Sequence, residues 1–167
     1  MKNILVPIGS SKSSVNTLQY AIDFAQEVDA NVYVISIFKE LSRVGGLSKV
    51  NTLLKEESEN RIDEVLSKVD TKGVSVIAHP VKGEEVEAVT RFNKHVPVDL
   101  MMLSPRSNSS SEDVYLGNTT GKLVKGTDIP ALIVPKDQKF EVPKTILVAF
   151  NTKNFQFNLS CLAYKHY

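Results

Sequence analysis

Short apolar runs alternate with longer segments of helical periodicity along the first 134 residues of this chain. The strand-like runs are residues 4–8, 32–38, 74–78, 100–103 and 131–134, and helical spacing falls in residues 14–27, 51–69, 84–95 and 117–125. Runs of four to eight β-rich residues are too short for helices. The resulting β-α-β-α-β-α-β-α-β order predicts an α/β fold, a doubly wound five-stranded parallel sheet with right-handed crossovers and helices on both faces.

Composition excludes several classes of protein. Basic and acidic residues nearly balance at 20 and 19, without a long run of one sign, which argues against a nucleic-acid partner. A single cysteine, Cys161, excludes a disulfide framework and a cysteine-cluster metal site. No apolar stretch reaches membrane-spanning length, and the amino end enters a strand-like run without a signal peptide. We therefore expect a cytoplasmic protein that does not use a membrane.

The beginning of the chain recurs near its end. The string KNILVPI at residues 2–8 returns as KTILVAF at residues 144–150, and each copy is followed by a polar turn and a helix-like segment. A self-match at domain-sized spacing suggests duplication. We expect one domain over residues 1–136, a linker over residues 137–143, and over residues 144–167 the strand and helix that start a second, incomplete repeat.

Two polar segments follow strands of the predicted sheet, where ligands of such folds bind. Residues 9–14 are small and rich in hydroxyl groups. Residues 104–113 form a long polar segment that leads into Gly117 and the start of the last helix. The carboxyl ends of the strands are therefore the expected ligand side.

The strand sequences are similar to those of the universal stress proteins. Residues 4–8 resemble the opening strand of that family, residues 98–103 its fourth strand and residues 130–134 its fifth. The resemblance covers nearly the whole first domain. It implies a flavodoxin-like fold (adenine nucleotide alpha hydrolase-like) with strand order 3-2-1-4-5, and it implies that the chain is a tandem member cut early in its second domain.

ATP-binding members of the family carry Gly-x-x-Gly, nine residues, then Gly-Ser or Gly-Thr. That frame falls here on Ser104 to Ser107 and on Gly117-Asn118, with its spacing intact and its residues changed. We expect nucleotide contacts at eleven residues, of which Arg106, Thr119 and Thr120 follow from the chemistry around the start of the last helix: Pro7, Ile8, Gly9, Ile37, Ser104, Arg106, Ser107, Gly117, Asn118, Thr119 and Thr120. Of these, Ile37 corresponds to the family's apolar residue beside the adenine.

Three departures weaken the expected ATP site. Serines at 104 and 107 place side chains where glycines let backbone N–H groups approach phosphate oxygens. Asn118 replaces a hydroxyl, and Gly9 stands where the family has a nucleotide-binding aspartate. Against these losses, the last helix offers free N–H groups and the positive end of its dipole, with the Thr119 hydroxyl nearby. The alternative is that Asn118 or Thr119 caps this helix and that the serines form a solvated loop.

No other segment presents a convincing active site. Residues 117–122 resemble a Walker A loop, but with three residues between the glycines and Leu123 in place of Ser or Thr. His79, His95 and His166 lack metal-ligand spacing, and Glu84 and Glu85 are explained by the dipole of the helix they begin. We assign no catalytic residue, no metal and no certain cofactor.

Two functions remain open from the sequence. One is a stress-response module with a degenerate nucleotide site, acting through protein contacts and a homodimer formed by the fifth strand and the apolar residues 144–167. The alternative is a switch that binds ATP or another adenine nucleotide weakly, with slow hydrolysis. An intact glycine motif would have favoured the switch, and its erosion favours the module.

Overall fold

Five parallel strands form the sheet, and four helices connect them. The computed structural model describes residues 1–9, 13–40, 48–105, 118–145 and 147, and for Ser48 and Asn118 it describes the backbone alone. The elements are β1 (Asn3–Ile8), α1 (Ser13–Val28), β2 (Asn31–Phe38), α2 (Ser48–Leu66), β3 (Val76–Lys82), α3 (Glu85–His95), β4 (Leu100–Leu103), α4 (Asn118–Gly126) and β5 (Ala131–Ile133). The strand order is β3-β2-β1-β4-β5, so the predicted order 3-2-1-4-5 is confirmed.

Side chains that alternate along the strands supply a core on each face of the sheet. Ile4 and Val6 of β1 pack with α1 and α2, whereas Leu5 packs on the opposite face with α3 and α4. This alternation follows from the pleat, which turns successive side chains to opposite faces. On the outer layers, α1 contributes Leu18 to the first core and α4 contributes Leu123 to the second.

Pro7 does not end the pairing of the first strand, although a proline has no N–H to donate to a ladder. The β1–β2 register continues through Pro7, opposite Ile35, to Ile8. On the other side of β1, β4 pairs with Ile4 and Leu5, so that ladder ends before the proline. A missing donor at Pro7 therefore interrupts no pairing with β4.

The third strand lies later in the chain than residues 74–78. A turn comes first, in which Val74 N–H donates to Thr71 O at 2.8 Å and both Lys72 and Gly73 have positive φ. The strand then follows β2 to its end, with Lys82 opposite Phe38. Pro80 is tolerated within it because β3 is an edge strand. Helix α2 is likewise displaced from residues 51–69, since it begins at Ser48 and ends at Leu66.

The segment predicted to be a linker lies partly against α1. Phe140 makes edge-to-face contacts with Tyr20 and Phe24, with ring centroids 5.3 and 5.7 Å apart. Asn16 also donates a side-chain hydrogen bond to Pro135 O at 3.2 Å. These contacts hold the chain on the α1 side after β5. The strand and helix expected within residues 144–167 lie almost wholly outside the described residues.

Candidate functional site

The carboxyl ends of the strands meet at one edge of the sheet, here called the carboxyl edge. It is formed by the ends of β1, β2, β3 and β4, at Ile8, Phe38, Lys82 and Leu103. The chain moves outward from β1 to β2 and β3, then returns to place β4 on the other side of β1. Such a reversal opens a crevice between the two central strands, which is where open α/β sheets bind ligands.

The end of β1 is closed by a serine from the next helix. Gly9 N–H donates to Ser14 Oγ at 3.2 Å, and the same hydroxyl donates to Gly9 O at 3.1 Å. Ile8 is buried in the core beneath α1, whereas Pro7 is half-buried. Ile8 can therefore offer a ligand its backbone, while its side chain belongs to the core.

Position 9 has room for a larger residue. A Cβ built on Gly9 would meet nothing within 4 Å among the described residues. The φ angle at Gly9 is not in the left-handed region that favours glycine. The backbone at position 9 therefore does not require glycine. Compared with the family's aspartate, Gly9 lacks only the carboxylate that would contact a nucleotide.

The end of β4 and the start of α4 are joined by one hydrogen bond. Thr120 Oγ1 donates to Ser104 O at 2.9 Å, and the Thr120 side chain is buried. Thr119 is exposed, and α4 begins at Asn118. The structure thus brings Ser104 and Thr120 together, and the neighbouring Thr119 is open to solvent. Arg106, Ser107 and Gly117 fall outside the described residues.

Ile37 lies on the α3 and α4 face of the sheet, near the end of β2. It is half-buried and packs against the core cluster of that face together with Tyr33 and Val81. Its position near the strand end fits the predicted place beside an adenine. Its packing is also that of an ordinary core residue.

A charged network at the carboxyl edge was missed by the sequence analysis. Lys39 Nζ lies 2.6 Å from Glu84 Oε2 and 4.0 Å from Glu85 Oε2, and Lys122 Nζ lies 3.6 Å from the same Glu85 oxygen. Lys39 follows β2, the glutamates begin α3, and Lys122 lies on α4. Charged residues just after strands were the only signal in the sequence, and they did not reveal that three segments converge.

Glu85 is the least exposed member of this network. Its side chain is 18% exposed, against 53% for Lys39 and 50% for Lys122. Its carboxylate accepts a hydrogen bond from its own backbone N–H, and that bond, with Lys39 and Lys122 nearby, holds the pKa of Glu85 below its ordinary value although burial opposes the shift. Glu85 is therefore a charged carboxylate at neutral pH.

This arrangement offers cations and hydrogen-bond donors, the chemistry that binds anions. Among the described residues, no group of three His, Cys, Asp or Glu side chains is placed to hold a metal ion.

Within the same part of the chain, no helix has both the length and the apolar character needed to cross a bilayer.

The chain is similar to known proteins over most of its length. The universal stress protein family model matches residues 1–135. Universal stress protein MJ0531 of Methanocaldococcus jannaschii is 27% identical over 143 residues, which cover 83% of this chain and 84% of the relative.

Solved structures agree on the fold. Universal stress protein UspA from Lactobacillus plantarum superimposes with a TM-score of 0.63 at 19% identity, over 80% of this chain and 97% of that one. A universal stress protein from Archaeoglobus fulgidus in complex with dAMP gives a TM-score of 0.58 at 15% identity, over 80% and 97%. With the family match over residues 1–135, these findings show that the chain belongs to the universal stress protein family.

Proposed function

We propose that this protein is a cytoplasmic stress-response module that acts as a homodimer and through protein contacts, and that its nucleotide site is degenerate. Membership of the universal stress protein family supports the stress-response role. The open edge of β5 is the observation that carries the dimer. The changed residues at the carboxyl edge support weak nucleotide binding.

One edge of the fifth strand is unpaired among the described residues. Within the described residues, β5 pairs with β4 alone, and its three residues lie at the end of the sheet. Ala131 is exposed. Further along, Val142 is 55% exposed and Leu147 is 94% exposed. An open strand edge followed by exposed apolar residues is a surface that a second chain can cover.

The dimer is tested by removing residues 144–167, which leaves Phe140 on α1. We expect the protein to change from dimer to monomer when its mass is measured by light scattering. Ala131→Lys should have the same effect, since it places a charge at the β5 edge. His79→Lys is the matched control, because His79 is exposed on β3 at the opposite edge of the sheet. An unchanged mass in both the truncated chain and Ala131→Lys would rule out this interface.

A weak nucleotide switch is the second candidate, and two observations favour it. Thr119 is exposed beside the start of α4, where helix N–H groups and the helix dipole attract a phosphate. The similar protein from Archaeoglobus fulgidus is in complex with dAMP, a nucleotide with one phosphate. This chain lacks the family's aspartate and loop glycines. We therefore expect ATP with Mg²⁺ to bind with a dissociation constant above about 1 μM, which corresponds to a binding free energy of less than about 8 kcal/mol.

The missing carboxylate can be restored at Gly9. Because a Cβ there meets nothing within 4 Å among the described residues, we expect Gly9→Asp to fold normally. It should tighten ATP binding by about tenfold, which corresponds to about 1.4 kcal/mol. Ser104→Gly and Ser107→Gly should add to that gain. Gly9→Ala is the steric control and should leave the affinity unchanged in calorimetric titration. Nanomolar binding by the unchanged protein would contradict the degenerate site.

A further inference from the structure

One carboxylate oxygen at the carboxyl edge faces two ammonium groups. Glu85 Oε2 lies 4.0 Å from Lys39 Nζ and 3.6 Å from Lys122 Nζ. The two ammonium groups are therefore separated by no more than the sum of those distances. A single phosphate group could bridge that span by accepting hydrogen bonds from both lysines.

Both lysines belong to the ligand side of the sheet. Lys39 comes directly after β2, outside its carboxyl end. Lys122 is in the second turn of α4, on the same helical face as Asn118 and Thr119. Side chains on a helix lean toward its N-terminus, so Lys122 extends toward the end of α4 where an anion would bind.

Burial distinguishes the carboxylate from its two partners. Glu85 is largely enclosed, whereas about half of each lysine side chain is open to solvent. An incoming anion can therefore reach the ammonium groups without any change in the core. Glu84 also holds Lys39 at 2.6 Å, and neighbouring Lys82 is paired with Glu40 at 2.6 Å. The carboxylates already present thus offset the positive charge of the edge.

We propose that Lys39 and Lys122 form a phosphate-binding pair and that Glu85 is its internal competitor, which occupies the place of a ligand phosphate. The ligand class is inorganic phosphate or a phosphorylated small molecule such as a nucleoside monophosphate. An anion binds here only by displacing Lys122 from Glu85, and Lys39 from both Glu85 and Glu84. This competition is a second cause of weak nucleotide binding, separate from the loss of the aspartate and the loop glycines.

Glu85→Gln tests the competition. The amide keeps the size of the side chain and an oxygen acceptor but removes the negative charge. We expect inorganic phosphate to bind Glu85→Gln at least fivefold more tightly than the unchanged protein, in calorimetric titrations at low ionic strength. Salt should reduce the gain, since the interaction is between charges close to solvent. The gain should disappear in the double variant Glu85→Gln/Lys122→Gln.

Glu87→Gln is the matched control. Glu87 lies on the same helix and pairs with Arg91, and among the described residues no ion pair joins it to Lys39 or Lys122. It removes the same charge, so it should leave phosphate affinity unchanged. Equal phosphate affinity in Glu85→Gln and the unchanged protein would overturn the proposal. An equal gain in Glu87→Gln would also overturn it, because the effect would then come from net charge.

The phosphate-binding pair rests on the proposed function in one respect, that the carboxyl edge is the ligand side. Two further probes, adenosine and AMP, distinguish a failure of the pair from a failure of the nucleotide site. Adenosine carries no phosphate, so its binding should not respond to Glu85→Gln. AMP should gain as much as phosphate does. Glu85→Gln could raise the affinity for phosphate while AMP binds no more tightly than phosphate. That result would support the two-lysine pair and would contradict a nucleotide site at this edge. Circular dichroism and a thermal melt of each variant establish that the protein is folded.

Discussion

The two faces of the sheet differ in how they are covered. Helices α1 and α2, of 16 and 19 residues, cover one face, whereas α3 and α4, of 11 and 9 residues, cover the other. The larger buried cluster lies under α1 and α2. The thinner face carries Glu85, Thr120 and Lys122 of the carboxyl edge. The larger core thus lies on the face opposite these charged and hydroxyl groups, so we expect substitutions among them to leave that core intact.

Replacing one buried leucine on each face has the largest expected effect on stability and tests whether the two faces differ. Leu18 on α1 and Leu123 on α4 are both completely buried. Leucine to alanine in a core costs about 2 to 5 kcal/mol, and more where the cavity cannot collapse. We expect Leu18→Ala to cost about 4 kcal/mol and Leu123→Ala about 3, because short α4 can move toward the sheet. Urea unfolding measures both, and a larger loss for Leu123→Ala would contradict the division.

Packing between α3 and α4 is tested next, at a glycine. A Cβ on Gly126 would lie 2.8 Å from a methyl carbon of Val86, closer than real contacts allow. Gly126→Ala should therefore cost about 2 kcal/mol through overpacking. At Gly121, on the same helix, a Cβ meets nothing within 4 Å among the described residues. Gly121→Ala is the control and should gain up to about 1 kcal/mol, because alanine is the better helix former.

The α1 face extends onto the segment after β5 through Phe140. Phe140→Ala removes its edge-to-face contacts with Tyr20 and Phe24, and we expect a loss of about 1 to 2 kcal/mol. Burial raises the pKa of the Tyr20 hydroxyl above 10.0. The substitution should lower the pKa of Tyr20 toward that value, because it exposes the ring. Absorbance is followed through alkaline titrations of the unchanged protein and of Phe140→Ala, each with and without Tyr20→Phe. In each pair the difference gives the titration of Tyr20. An unchanged titration would mean that Phe140 does not shield it.

The sequence predicted the sheet better than the carboxyl edge. The apolar runs and their order determine five parallel strands, and the resemblance to a family supplied the strand order. The end of β3 was misplaced because its length depends on pairing with β2, a contact distant in sequence. Lys39, Glu85 and Lys122 were missed for the same reason, since no local pattern brings three segments together. Phe140 is the clearest case of a contact that local sequence does not predict. The polar stretch around it predicted a linker, but its ring packs against Tyr20 of α1.

The smallest expected changes in unfolding free energy come from replacing one threonine on each face. Thr17 on α1 is buried, and its Oγ1 has no hydrogen-bond partner among the described residues. A buried hydroxyl without a partner costs stability, so Thr17→Val, which keeps the shape, should stabilise the protein by about 1 kcal/mol. Thr120 on α4 is also buried, but its hydroxyl donates to Ser104 O. Thr120→Val should therefore destabilise by about 1 kcal/mol, since it leaves that carbonyl without its donor. Urea unfolding of the two variants should give changes of opposite sign. A loss of stability in Thr17→Val would show that its hydroxyl is paired in solution, and the α1 face would then lack the polar defect that distinguishes it from the face of α4.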